Sequence, residues 1–87
     1  MKKVSFPAVV TKQGKQVRVD FPDLPDAVTK RDSLEQAIED SRLAVALVVN
    51  DLVTHFEKVP DATPMEEVRA AHPAGDVRLI TVDLDRY

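Results

Sequence analysis

The sequence has 87 residues, room for one small hydrophobic core and too few for separate cofactor and substrate domains. Hydrophobic residues make up 44% and charged residues 31%, a balance that excludes a chain too polar to fold. The absence of cysteine excludes disulfides and thiol chemistry, two histidines supply too few ligands for a structural zinc site, and a net charge of −3 opposes the basic footprint of a nucleic-acid binder.

A single domain over residues 1–87 is expected. Residues 3–11 alternate, with Val4, Phe6, Ala8 and Val10 on one parity and Ser5 and Thr11 on the other, which predicts a half-buried strand. Pro7 has no N–H, so this strand belongs at a sheet edge or has that position outside the ladder. Residues 12–15 form a polar connection with Gly14 available for positive φ, and Val17, Val19 and Phe21 resume the alternation, completing a hairpin. Pro22 and Pro25 end the second strand, and residues 27–29 leave room for a short third.

A helix start follows, capped either by Asp32 with Glu35 or, in the alternative register, by Ser33 with Gln36. Leu34, Ala37, Ile38, Ser41, Val45, Val48, Leu52 and Phe56 recur at helical spacing and predict a core-facing stripe of about six turns. Residues 43–49 are apolar nearly all round, so a second contact beyond one sheet face is implied; the run is far short of the ~20 residues of a membrane span. Thr63, Pro64 and Glu66 mark a short second helix ending near Ala71. Residues 76–84 form a last strand with Val77 and Leu79 on one side and Ile80, Val82 and Leu84 on the other, a two-faced pattern expected at a sheet centre or a sheet-to-sheet interface. The fold class is α+β: a small, mostly antiparallel sheet in the order β-β-β-α-α-β, with one long helix on one face and a short second helix.

Chemistry is sparse. Gly14 and Gly75 do not make a phosphate loop, and His55 and His72 read as helix-end residues near the negative pole. Asp20, Asp83 and Asp85 are the candidates for a metal-dependent nuclease centre, but each also reads as a solvated residue on an outer face or at a terminus. Glu35, Glu39, Asp40, Arg42 and Asp51 read as the wet face of the long helix. Asp20, Asp23, Asp26 and Asp32 gather around the second strand and its following loop; turn formation and capping explain most of them locally, and an acidic docking surface for a basic partner is the functional alternative.

The stretches FPAVV, VRVDFPDLPDAVTKRDSLEQAIEDSRLAV and LITVDL together resemble the HicB family of type II antitoxins over nearly the whole chain, most specifically in FPDLP followed by T-x-x-D-S-L-E-x-A. The resemblance implies a partial RNase H-like fold and a partner of the HicA type, a small basic toxin that cleaves mRNA and is neutralised by direct occlusion. Asp26-Ala27 stands where family members often have glycine and cysteine, and Arg31 where a glycine is common. Full-length members usually continue into a DNA-binding domain, whereas this sequence ends at Tyr87, so operator binding and autoregulation are not carried over.

The expected function is therefore a non-enzymatic, cytoplasmic antitoxin-type domain with no cofactor or metal, no direct nucleic-acid binding and no membrane association. Asp20, Asp23, Asp26 and Asp32 are the expected electrostatic contribution to partner binding, with Leu24 as an apolar anchor. A chain of this size gains from association, so a homo-oligomer is also expected. The alternatives are an orphan self-assembling module without a toxin and, further off, a divergent RNase H-like nuclease.

Overall fold

The computed structural model describes residues 2–87. Strand β1 (Lys3–Gln13) turns at Gly14 and Lys15 into β2 (Gln16–Asp20), with Gln13 paired to Gln16. Gly14 takes φ 61°, the left-handed value that a type II′ hairpin turn needs at its first central position. β3 (Thr29–Arg31), helix α1 (Leu34–Thr54), helix α2 (Met65–Ala71) and β4 (Asp76–Asp83) follow, and a 3-10 turn spans Leu84–Arg86. The sheet has four strands in the order β3-β2-β1-β4, every neighbouring pair antiparallel.

One expectation about strand position is corrected: β4 is an edge, neither central nor at a sheet-to-sheet interface, while β1 is internal and meets the other expectation by leaving Pro7 outside its ladder with β2. Pro7 is accommodated because β1 pairs with β2 only from Val9 onward, so at Pro7 it has β4 alone as a neighbour. β4 is apolar on both faces because each face is covered by a helix rather than by further strands. Ile80 and Val82 lie with Phe6, Ala8, Val10 and Val19 in the core beneath α1, whereas Val77 joins Val9, Val68 and Met65 in a smaller cluster beneath α2 on the opposite face. Leu79 is left 55% exposed.

α1 is capped by Ser33, whose side chain accepts the Gln36 N–H at 3.2 Å, so the second of the two sequence registers is the one formed. Its buried residues, Ala37, Ser41, Val45, Ala46 and Val49, sit on the sheet, and the Ser41 hydroxyl donates to the Ile38 carbonyl at 2.6 Å. Arg31 reaches Asp40 at 2.8 Å and Arg42 reaches Glu39 at 3.1 Å.

The core stripe ends earlier than the periodicity suggests. Phe56 is not a core residue: it lies past the helix end and is 98% exposed. There the Phe56 N–H bonds to the Val53 carbonyl and the Glu57 N–H to the Leu52 carbonyl, a Schellman closure with Phe56 in the left-handed position at φ 56°. His55 and His72 are the C-cap residues of α1 and α2. Thr63 does not cap α2: Pro64 is at the N-cap, without a side-chain cap, and the Thr63 hydroxyl is used elsewhere.

Candidate protein-interaction surface

The loop after β2 is built from two successive turns of the same composition. In Phe21-Pro22-Asp23-Leu24 the Leu24 N–H returns to the Phe21 carbonyl at 3.0 Å, and in Leu24-Pro25-Asp26-Ala27 the Ala27 N–H returns to the Leu24 carbonyl at 2.9 Å. Proline presets φ at the second position of each turn, and aspartate follows it. The residues that open and close the turns, Phe21, Leu24 and Ala27, are each no more than 1% exposed. The loop therefore plugs three apolar side chains into the core while Pro22, Pro25 and Asp26 stay outside. Neither Asp26 nor Arg31, the two departures from the family pattern, has positive φ, so this loop needs no glycine at either position.

The five residues singled out from sequence are placed differently from one another. Asp23 accepts from the Thr63 N–H at 2.9 Å and from the Thr63 hydroxyl, tying the loop to the segment before α2. Leu24 is 1% exposed, so burial removes it as a surface anchor. Asp20 pairs with Arg18 at 2.9 Å on the sheet face opposite α1, beside His72. Asp32 is exposed and accepts from Gln16 Nε2 at 3.4 Å, at the start of α1. Asp26 alone combines free exposure with an apolar neighbourhood.

That neighbourhood consists of two open depressions of about 270 and 410 Å³ that share Asp26, Val48 and Leu52. The first adds Asp23, Leu24, Pro25, Lys58 and Pro60, and the second adds Leu47, Asp51 and Glu57. Leu47, Val48 and Leu52 give the two depressions an apolar part, and Asp23, Asp26, Asp51 and Glu57 put four carboxylates around them against a single cation, Lys58, with Asp23 already engaged by Thr63. Leu47 is 61% exposed there, and Phe56 stands next to Glu57. Asp51, Glu57 and Leu47 were not identified from sequence as parts of a candidate surface. The available signal was the all-round apolar middle of α1, which implied a second contact.

The three aspartates considered for metal chemistry are dispersed. Asp20 lies in the row of Val9 and Val77, while Asp83 lies six residues further along β4 opposite Lys3, about 20 Å away at the usual strand rise. Among the described residues no cluster of three or more His, Asp or Glu side chains could hold a metal ion. Asp83 and Asp85 instead serve the carboxyl-terminal turn, where Asp83 accepts the Asp85 N–H at 3.1 Å and Asp85 accepts the Lys2 N–H at 3.2 Å. No helix among the described residues is long and apolar enough to cross a membrane.

The sequence profile of HicB-like antitoxins of bacterial toxin–antitoxin systems matches residues 6–87. Among curated proteins none matches significantly by sequence. The fold is similar to the N-terminal domain of the Burkholderia pseudomallei antitoxin HicB, with a TM-score of 0.82 and 28% identity over 93% of this chain and all of that one. It is equally similar to the longer B. pseudomallei HicB structure, of which this chain spans 66%, with a TM-score of 0.81. A toxin–antitoxin complex from Streptococcus pneumoniae shares the fold at a TM-score of 0.83 and 15% identity, covering 99% of this chain and 73% of that one. Matching a small antiparallel sheet, one long helix and a short second helix, with the profile running from β1 to the last residue, the chain belongs to the HicB-like antitoxin family of bacterial toxin–antitoxin systems.

Proposed function

We propose that this chain neutralises a small basic, HicA-like, mRNA-cleaving toxin by direct occlusion, in the cytoplasm and without chemistry of its own. The observation that carries this reading is the acidic rim of Asp26, Asp51 and Glu57 around Leu47, Val48 and Leu52. An apolar patch supplies the desolvated anchor of an interface, and single-sign charge around it selects and steers a partner of opposite sign. Structures described as a HicA3–HicB3 complex and as a toxin–antitoxin complex share this fold, which supports a toxin as the partner. Of the sequence candidates, Asp26 acts directly, Asp23 holds the loop that presents it, and Asp20 and Asp32 contribute to the longer-range field. Binding to the toxin rather than to nucleic acid is the role of this domain.

The test is reconstitution of the purified chain with the small basic protein encoded beside its gene. Formation of a stable complex and loss of RNA cleavage are the expected results. If the two proteins do not associate and cleavage continues at a stoichiometric excess of this chain, the reading is overturned.

A further inference from the structure

α2 stands apart from the rest of the core. It has seven residues, buries one of them, Val68, and starts after Pro64 without a side-chain cap. Val68 packs with Val9, Val77 and Met65 in a cluster separate from the main core beneath α1. A helix this short has no stability of its own in water and depends on its seat. The seat is an apolar block on the outer face of the sheet, where Pro7 faces Leu79 and Val9 faces Val77 across β1 and β4. Pro7, Val9 and Val77 are buried, and Leu79 is left exposed at the margin of the block.

Each flank of α2 is tied down at one place. On the way in, Val59 packs on the main core, and beyond it the Thr63 N–H and hydroxyl reach the Asp23 carboxylate. On the way out, the Gly75 N–H bonds to the His72 carbonyl at 3.1 Å, and Gly75 lies too near Val9 to carry a Cβ. Asp23 belongs to the double turn, whose Phe21, Leu24 and Ala27 are sunk in the main core. It also lines the depression that contains Asp26 and Lys58. One carboxylate thus joins the fixed body of the domain, the entry to α2 and the surface proposed above for the toxin.

We infer that residues 63–75 form a flap that opens from the sheet as a unit while the four strands and α1 stay folded, and that the Asp23–Thr63 latch couples its closure to occupation of the acidic surface. Local opening starts where a segment's buried apolar surface is small and separate, as it is under α2. The coupling rests on the toxin-binding reading. A partner seated in the depression immobilises the double turn and Asp23, so closing the latch then costs less conformational entropy. By linkage, a closed flap raises affinity for the partner by the factor with which the partner favours closure. Opening uncovers Pro7, Val9 and Val77 beside Leu79, an apolar patch on the face away from α1.

Native-state hydrogen exchange of the free chain tests the flap without any toxin. The Val68 and His72 amides are expected to be at least about a hundred-fold less protected than those in the middle of α1 and β1, with a weaker dependence on denaturant. Val68→Asp, which puts a charge into the small cluster, should abolish protection in α2 while protection in α1 and β1 persists. Equal protection of α2, α1 and β1 in the free chain, or global unfolding of Val68→Asp, would overturn the flap. For the coupling, exchange is repeated with the small basic protein encoded beside the gene. Protection of α2 is expected to rise at least about ten-fold in the complex. Thr63→Val, at a position outside both depressions, should remove most of that rise while the complex still forms. A complex that leaves α2 exchange unchanged would overturn the coupling. Failure of the complex to form would overturn the toxin reading and the coupling with it, and the flap would still be decided by the free chain.

Discussion

The carboxylate of Asp23 accepts both the backbone N–H and the hydroxyl of Thr63, forty residues away in sequence, and so ties the double turn after β2 to the segment that leads into α2. α1 and α2 lie on opposite faces of the sheet, and of the ten residues between them Val59 packs against the main core while Thr63 is held to the loop by this pair. Hydrogen bonds to a charged acceptor are each worth about 1.5–3 kcal/mol. Asp23→Ala should lower stability by about 1–3 kcal/mol, and combining it with Thr63→Val should cost less than the two single changes added together, as read from urea midpoints in a double-mutant cycle.

Leu24 separates packing from recognition. Its side chain is 1% exposed among the core residues, so Leu24→Ala should cost about 2–5 kcal/mol and lower the thermal midpoint markedly. Toxin affinity measured on the fraction that remains folded should be nearly unchanged. A selective loss of binding at full stability would restore Leu24 as a surface anchor.

Phe56 combines a left-handed backbone with an almost fully exposed aromatic ring. That conformation costs a non-glycine residue about 1–2 kcal/mol, and the ring recovers little of it from packing. Phe56→Gly should therefore stabilise the chain, by about 0.5–1 kcal/mol after the added entropy of the unfolded glycine is subtracted. The same substitution should weaken toxin binding, because an exposed aromatic next in the chain to Glu57 has the character of an interface anchor. Opposite signs in thermal unfolding and in calorimetric titration with the toxin would establish that the strain serves binding.

Gly75 occupies the tight entry to β4. A Cβ at this position would meet Val9 Cγ1 at 2.6 Å, and Val9 is itself packed with Val68 and Val77 beneath α2. Gly75→Ala should cost about 1–3 kcal/mol through displacement of that small cluster, and amide exchange should show the loss concentrated in α2. Gly75→Ala paired with Val9→Ala should recover part of it.

The rim around Leu47 gives an ionic-strength signature. Replacing Asp26, Asp51 and Glu57 one at a time by lysine should slow association with the toxin several-fold each and flatten its dependence on salt. Stability should change by less than about 0.5 kcal/mol at Asp51 and Glu57, which are exposed. Surface plasmon resonance at two salt concentrations distinguishes this from a general loss of fold.

Local chain physics determined much of this protein. The hairpin follows from alternation on either side of Gly14, the tandem turns from proline and aspartate in FPDLPDA, and α1 from a capped run with apolar residues at three- and four-residue steps. Both expected helices and four strands are present, the third displaced from residues 27–29 to Thr29–Arg31, and the family was legible in their order. Strand order was not, because alternation records which face of a strand is buried and not which strand lies beside it. The apolar residues on both faces of β4 are consistent with a central strand, and only the placement of α2 over Val9 and Val77 shows how an edge strand can carry them. The proposed binding surface was likewise beyond the sequence. Asp23, Leu24 and Asp26 are neighbours in the chain, yet tertiary contacts give one to a latch, one to the core and one to the surface. Asp51 and Glu57 join Asp26 because the double turn packs against the far end of α1, a long-range contact that no local pattern encodes.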